Sequence, residues 1–320
     1  MQAFHILHSG STAELHDISV PKPGPGQVLL KIAACGLNFA DLLMEKGTYQ
    51  DTPDAPFTLG MEVSGTIDSL GAGVMGFAPG QRVAVFGGSG GLAEYGLFDA
   101  NRMVQIPDKM SFEEAAAFQV AYGTSHLALD YRARLQPSER LLVLGAAGGV
   151  GLTAVEIGNL MGAEVIAVAR GAEKLEVAKS MGATHLIDAS EPNLRGALKT
   201  LGGVDVVYDP VGGDLFKAAF RACNPEARIL PIGFASGSVP QIPANHLLVK
   251  NISVIGLYWG GYLKFKPKPL VASLQTLFDW FEAGKVKPHV SHIYPLAQAA
   301  DAMEILRARK STGKVVVTMS

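Results

Sequence analysis

The amino-acid sequence predicts an α/β protein in which a β-rich N-terminal region precedes a doubly wound, parallel six-stranded sheet. Three observations predict it. Residues 1–118 carry β-branched and apolar runs punctuated by Pro and Gly. Between residues 122 and 262, six strand-like runs alternate with helix-length segments, the signature of βαβ units. Those six runs are almost continuously apolar rather than alternating, as expected for strands covered by helices on both faces.

Along the chain, "VLLKIAAC" (Val28–Cys35), "MEVSGTIDSL" (Met61–Leu70) and "QRVAVF" (Gln81–Phe86) read as strands of the first region, separated by "PDAPFTLG" and "FAPGQ". The second region supplies "LLVLGA", "EVIAVA", "THLID", "VDVVYD", "ARILPIG" and "SVIGLY" as its six strands. Beyond residue 262, "KFKPKP" (Lys264–Pro269) reads as an exposed linker. Leu270–Ala283 and Leu296–Arg309 read as helices, and "KVVVT" as a last strand. One strand after two helices cannot close its own sheet, so the C-terminus is expected to return to the first domain. The expected divisions are 1–121, 122–262 and 263–320.

Composition narrows the function. The 320 residues are 48% hydrophobic and 18% charged, which suits two globular domains with ample core. A net charge of −2 provides no field to attract nucleic acid or an anionic membrane surface, and neither is expected as a partner. Two cysteines form no disulfide framework and fit a reducing cytoplasm. The N-terminus lacks a basic region followed by a long apolar stretch, and no signal peptide is expected.

Leu141–Gly158, "LLVLGAAGGVGLTAVEIG", is the most informative stretch. A strand leads into a Gly-rich turn that opens a helix, the setting a dinucleotide fingerprint requires. Ala146-x-Gly148-x-x-Gly151 matches G-x-G-x-x-G with Ala in first place. Gly148 admits the backbone to a pyrophosphate, Gly151 allows close helix–strand packing, and the N–H groups at Gly149 and Val150 lie where a helix start binds phosphate. The plain alternative is a βα turn rich in small residues; five further βα-like units behind it favour the dinucleotide. NAD sites carry an acidic residue at the end of the second strand. Here Arg170 stands there, with Lys174 one helical turn on, and a guanidinium suits a 2′-phosphate. NADPH is therefore the expected cofactor. Glu173 could instead serve a ribose, and the plain alternative for Arg170 and Lys174 is that they are solvated loop charges.

These residues, taken with "AACGLNFADLL", "GTYQ", "PFTLGMEVSGTI", "PGQRVAVF", "GGLAEY", "AAAFQVAYGTSHLAL", "VDVVYDPVGG", "IGFASG" and "TGKVVV", resemble the zinc-free quinone oxidoreductase (zeta-crystallin-like) branch of the medium-chain dehydrogenase/reductase superfamily. The resemblance spans essentially the whole chain. It implies a GroES-like β-rich substrate domain followed by a Rossmann domain, with the nicotinamide held between them. Zinc-dependent relatives carry G-x-C-x-x-D and G-H-E. Here Asn38 stands in the Cys position and Met61 in the His position, neither a credible zinc ligand, so no metal is expected.

The resemblance implies a reductase that passes hydride from NADPH to a quinone or an activated C=C bond. A 2-alkenal or enoyl-thioester reductase is the alternative, and a non-catalytic NADPH-binding structural or sensing protein is a reading of another class. It implies contact of Asn38 with the nicotinamide riboside; the rival role is N-cap of the helix that follows. Tyr49 resembles a tyrosine that lines the quinone pocket, with packing under its loop as the rival. Leu43 stands where many quinone-reducing relatives have a second tyrosine, which makes the pocket more apolar. Tyr122 and Thr124 match a segment near the nicotinamide, where helix capping and packing are the alternative. Asp209 and Val211 after the fourth strand, and Gly233, Phe234, Ala235 and Ser236 after the fifth, occupy loops at carboxyl ends of parallel strands, where ligands sit. Tyr258 and Trp259 of "GLYWGGY" are implied near the carboxamide, or serve as interface core. The apolar run around Ser253–Tyr258 would form a sheet edge, and a homodimer through that edge is expected.

Overall fold

The computed structural model describes residues 1–319 and resolves into two compact units. The first comprises residues 1–120 and the chain from Pro288 onward; the second comprises Ala121–Lys287.

The first unit is built on the strand Gln27–Gly36. One edge pairs along its length with Glu62–Leu70. On the other edge, Gln27–Lys31 pairs with Tyr95–Asp99, while Ala34–Gly36 pairs with Val316–Thr318 of the strand Lys314–Thr318. Arg82–Phe86 and Met103–Gln105 extend this sheet on one side and Val290–Pro295 on the other. A smaller sheet joins Glu14–Asp17, Gln2–Ile6 and Phe57–Thr58. Inward-facing Val28, Leu30, Ile32, Val63, Ile67, Val83, Val85, Val315 and Val317 form one buried cluster. The C-terminal strand thus completes the N-terminal sheet.

The second unit is a six-stranded parallel sheet in the spatial order His185–Asp188, Glu164–Ala169, Arg140–Leu144, Val204–Asp209, Cys223–Pro231, Ser253–Val254. The order reverses between the first and fourth strands, the crevice where such sheets take ligands. Leu141–Leu144 and Val165–Val168 are fully buried, which explains their unbroken apolar character.

Three expectations shift. The division expected at residue 262 lies at 287, because the helix Pro267–Glu282 belongs to the second unit: Ser273 Oγ bonds His126 Nδ1 at 2.9 Å and Trp280 meets the His126 ring edge-on at 5.2 Å. "KFKPKP" is not a linker. It closes a short helix, Tyr262–Phe265, and opens the next, with Pro267 in a first-turn position where its missing N–H costs nothing. The sixth strand is only Ser253–Val254. The chain then leaves the sheet, and Arg132 Nη2 donates to the Gly256 carbonyl at 3.1 Å. Among the described residues no helix is long and apolar enough to cross a membrane.

Candidate functional site

In the second unit the Gly-rich turn lies at the carboxyl end of Arg140–Leu144 and opens the helix Gly149–Leu160. Gly148 is the N-cap, and no side chain caps the first turn. The exposed start of this helix therefore presents N–H groups and the positive end of its dipole. A Cβ on Gly151 would lie 2.2 Å from the Gly145 carbonyl oxygen, whereas one on Gly148 would meet its nearest atom, the same oxygen, at 3.4 Å. Gly151 is thus required by packing, and Gly148 keeps the outer face of the turn open. Ala146 is fully buried, its N–H donating to the Val168 carbonyl at 3.0 Å.

Two further loops are tied to this turn. Asp209, buried at the end of the fourth strand, accepts from the N–H groups of Val211 (2.7 Å) and Gly212 (2.9 Å). Burial pushes its carboxyl up and those two bonds oppose the rise. Its backbone carbonyl takes Ile232 N–H at 2.8 Å and Gly233 N–H at 3.3 Å. Ala235 N–H bonds the Pro210 carbonyl at 3.1 Å and Ser236 N–H the Val211 carbonyl at 2.9 Å. Val211 Cγ2 also packs against the turn, 2.9 Å from where a Gly145 Cβ would be. The structure therefore brings the turn Ala146, Gly148, Gly149, Val150, Gly151 and the loops with Asp209, Val211, Gly233, Phe234, Ala235 and Ser236 together at the carboxyl ends of adjacent parallel strands. Phe234 is exposed there.

Arg170 is exposed at the carboxyl end of the second strand, and Lys174 lies in the first turn of the helix Ala172–Ser180. Asp188, at the end of the neighbouring strand, accepts the Gly171 N–H at 2.8 Å. Its bonds to Ser190 and Gly171 hold its carboxyl low, and the Arg170 charge adds to this. These residues fit a dinucleotide: a helix start without a side-chain cap would face its phosphates, and Arg170 and Lys174 would supply positive charge beside its ribose.

Tyr122 lies in the second unit. Its side chain is fully buried and its hydroxyl donates to Glu156 Oε2 at 2.6 Å, while Glu156 Oε1 accepts Lys287 N–H at 2.8 Å. The Tyr122–Glu156 bond thus braces the helix that carries Tyr122 against Gly149–Leu160 within the second unit. Thr124 is buried in the same helix, Gln119–His126. Trp259 packs its indole on that helix, 2.7 Å from where a Gly123 Cβ would be, whereas Tyr258 is exposed. A hydroxyl network unseen in the sequence joins Ser125 Oγ to Thr153 Oγ1 (2.8 Å), Tyr208 Oη (2.9 Å) and the Val150 carbonyl (2.9 Å), clamping the nucleotide helix to the helix before it and to the fourth strand.

In the first unit, strand register builds a second cluster. Val316 pairs with Gly36 in antiparallel register, which puts Lys314 opposite Asn38, and Gly36 pairs with Glu62. Lys314 Nζ donates to Glu62 Oε1 at 2.5 Å and to Asn38 Oδ1 at 2.8 Å. Asn38 Nδ2 donates to Glu62 Oε1 at 2.9 Å and to the Gly36 carbonyl at 3.4 Å. Glu62 Oε2 accepts Val120 N–H at 2.9 Å. Asn38 is the N-cap of Phe39–Glu45 and forms a capping box with Asp41, whose carboxylate accepts the Asn38 N–H at 2.7 Å, while the Asn38 amide also bonds Lys314 and Glu62. Burial lifts the Asp41 carboxyl to about 7, against the pull of the Asn38 N–H and the Lys314 charge. Tyr49 packs half-buried on this unit's core, and burial, with the Asp51 and Asp41 charges, pushes its phenol up to about 12. Its hydroxyl therefore keeps its proton. Glu62 and Lys314 both lie in quoted motifs, "GMEV" and "TGKVVV", but nothing in the linear sequence pairs residues 252 apart.

The same cluster decides whether a zinc ion fits. The donors at the two motif positions are an amide and the buried thioether of Met61, and the Lys314 ammonium already lies against Asn38 and Glu62. Cys35 is fully buried and its thiol is pushed well above its ordinary value, chiefly by burial. Zn²⁺ needs thiolate, imidazole or carboxylate donors and would be repelled by a fixed cation, so these residues do not fit it.

Comparison with known proteins agrees with this geometry. A model described as "Alcohol dehydrogenase GroES-like domain" matches residues 24–108, and one described as "Zinc-binding dehydrogenase" matches 149–276. The chain is 41% identical over 300 residues to a quinone oxidoreductase-like protein 2 homolog of Nematostella vectensis, covering 92% of this chain and 82% of the relative. Among solved structures, a quinone oxidoreductase of Thermus thermophilus, studied also as its NADPH complex, superposes with a TM-score of 0.87 at 32% identity over 100% of both chains. An Escherichia coli quinone oxidoreductase complexed with NADPH gives 0.90 at 28% identity over 99% of each. With its two domains and these relatives, the chain belongs to the quinone oxidoreductase-like branch of the medium-chain dehydrogenase/reductase superfamily.

Proposed function

We propose that this protein is a zinc-independent, NADPH-dependent oxidoreductase that reduces a quinone or the activated C=C bond of an α,β-unsaturated carbonyl. The observation that carries the reading is the start of Gly149–Leu160, without a side-chain cap, at the switch point of a parallel sheet, with Arg170 exposed at the carboxyl end of the neighbouring strand Glu164–Ala169. The NADPH complexes of its structural relatives support it. When bound, NADPH supplies a hydride. The chain's own residues bind, orient and donate. Gly148–Gly151 hold the pyrophosphate, Arg170 and Lys174 the 2′-phosphate, and the Asp209–Val211 and Gly233–Ser236 loops flank the dinucleotide. Asn38 meets the nicotinamide riboside. Tyr49, whose phenol stays protonated at ordinary pH, donates to the acceptor oxygen on which negative charge develops. Leu43 replaces a polar lining with an aliphatic one and favours acceptors with an apolar body.

The test is stopped-flow oxidation of bound NADPH against 1,2- and 1,4-quinones, 2-alkenals and enoyl thioesters. Rapid turnover of one class assigns the acceptor. Tight NADPH binding without oxidation by any of them would favour a binding-only role, and turnover of saturated alcohols dependent on added zinc would defeat the proposal.

The assembly belongs to the same reading: a homodimer formed through the sheet edge at Ser253–Tyr258. Ser253–Val254 is the terminal strand, and the helix just before it, Ala244–Lys250, exposes Leu248 and Val249 at 78% and 75%.

A further inference from the structure

The second unit carries a groove that the nucleotide reading does not use. The helices Leu194–Thr200, Gly213–Ala222 and Ala244–Lys250 line a cavity of about 330 Å³. Small-molecule sites start at about that size. Phe220 and Arg221 end the second of these helices just before the strand Cys223–Pro231, and Ile252 stands just before Ser253–Val254. The groove therefore lies at the amino ends of these parallel strands, whereas the Gly-rich turn follows a carboxyl end. Its base is apolar, formed by the buried Phe220 and Ile252, with Val249 exposed at its mouth. The Phe220 ring lies nearly parallel to Phe216 and to His246, with centroids 5.9 and 6.0 Å away, which holds it in place.

The rim is cationic. Arg195 and Arg221 are exposed on it, and Lys250 stands beside them, its ammonium donating to the Arg221 and Cys223 carbonyls at 3.3 and 2.8 Å. Among the described residues no carboxylate forms an ion pair with any of the three. Lys199 shares the crowding: burial first, and then the Lys250 and Arg195 charges, pull its ammonium below its ordinary value. Like charges gathered without a counter-ion repel one another, and a bound anion relieves that repulsion.

We propose that this groove binds a fatty-acid carboxylate of medium chain length: the acyl chain lies on Phe220, Ile252 and Val249, and the carboxylate pairs with the guanidinium groups of Arg195 and Arg221. A guanidinium fork matches a carboxylate through two parallel N–H···O bonds. The apolar base selects for the chain, since inorganic phosphate has nothing to bury on it and a long-chain alcohol has no charge to give the rim. None of the lining residues belongs to the Gly-rich turn or to the loops after the fourth and fifth strands, so the site stands apart from the nucleotide reading and survives its failure.

Titration calorimetry of the full chain with decanoate, decanol and inorganic phosphate tests it. Decanoate is expected to bind saturably, one per chain, and about 10-fold or more tighter than either decanol or phosphate, the scale of one charge-assisted hydrogen bond. Arg195→Ala and Arg221→Ala, both at exposed side chains, should each weaken decanoate by about 10-fold while the melting temperature stays at its wild-type value. Arg170→Ala, at the other end of the sheet, should leave decanoate within about 2-fold. Phosphate or decanol binding as tightly as decanoate would overturn the inference, as would a wild type that takes up no decanoate. Unchanged decanoate affinity in both Arg195→Ala and Arg221→Ala would overturn it too. A loss in Arg170→Ala equal to that in Arg195→Ala would place the anion in the nucleotide crevice and defeat the separate site.

Discussion

Arg170, Tyr49 and Asp41 carry the predictions that single residues allow. Arg170→Ala should weaken NADPH by roughly 10- to 150-fold while leaving NADH nearly unchanged, since one charge-assisted bond is worth about 1.5–3 kcal/mol. Fluorescence titration with the two coenzymes checks it, and an equal loss for both would place Arg170 outside the 2′-phosphate site. Tyr49→Phe should lower kcat by about 10²-fold, the cost of removing one donor from a developing oxyanion, with NADPH affinity unaltered. Asp41 gives a pH signature. Its carboxyl rises from 3.8 to about 7 in the fold because burial disfavours the charge. The folded protein then holds a proton that the unfolded chain has released, so this group's contribution to stability is full below pH 3.8 and is lost as pH rises toward 7. Asp41→Asn should remove that slope, worth at most about 4 kcal/mol at about 1.4 kcal/mol per pKa unit. Urea unfolding of both proteins between pH 4 and pH 8 would reveal it; parallel pH curves would show that Asp41 is ionised throughout.

The elements explain why two glycines of one turn should respond differently. Gly151 faces the strand it packs on, and a methyl group there would meet the Gly145 carbonyl at 2.2 Å. Gly151→Ala should cost about 2–3 kcal/mol in stability and lose cofactor binding with it. Gly148 has ordinary space for a methyl group but lies on the face a pyrophosphate approaches. Gly148→Ala should keep the wild-type melting temperature and still weaken NADPH by about 10-fold or more. Thermal melts paired with cofactor titration separate the two, and a Gly148→Ala variant with wild-type affinity would mean the phosphates lie elsewhere. The Gly-rich turn, its strand and its helix were all legible in the linear sequence. The hydroxyls of Ser125, Thr153 and Tyr208 that hold the helix were not, because they come from three separate elements.

For the whole molecule, the open question of assembly has a direct measurement. Light scattering at micromolar concentration should give twice the 33.7 kDa chain mass. Leu248→Glu with Val249→Glu should reduce it to one chain without altering the secondary structure, because both side chains face solvent in the single subunit. A wild type that runs as a monomer would end the proposal.

Local pattern by itself determined the order of strands and helices, the dinucleotide turn and the return of the last strand, since each is written in residues close together or in the apolar periodicity of a buried strand. It misread "KFKPKP", whose prolines suit a linker and a helix start equally well, and it placed a division at 262 that tertiary packing of Ser273 and Trp280 on His126 moves to 287. Tyr122 was visible only as part of a segment that resembles one near the nicotinamide; the fold alone brings Glu156 to its hydroxyl. Asn38 was visible, but its orientation was not. That depends on Lys314 and Glu62, which strand register delivers from opposite ends of the chain, and a hydrogen bond between residues so far apart has no local signal to announce it.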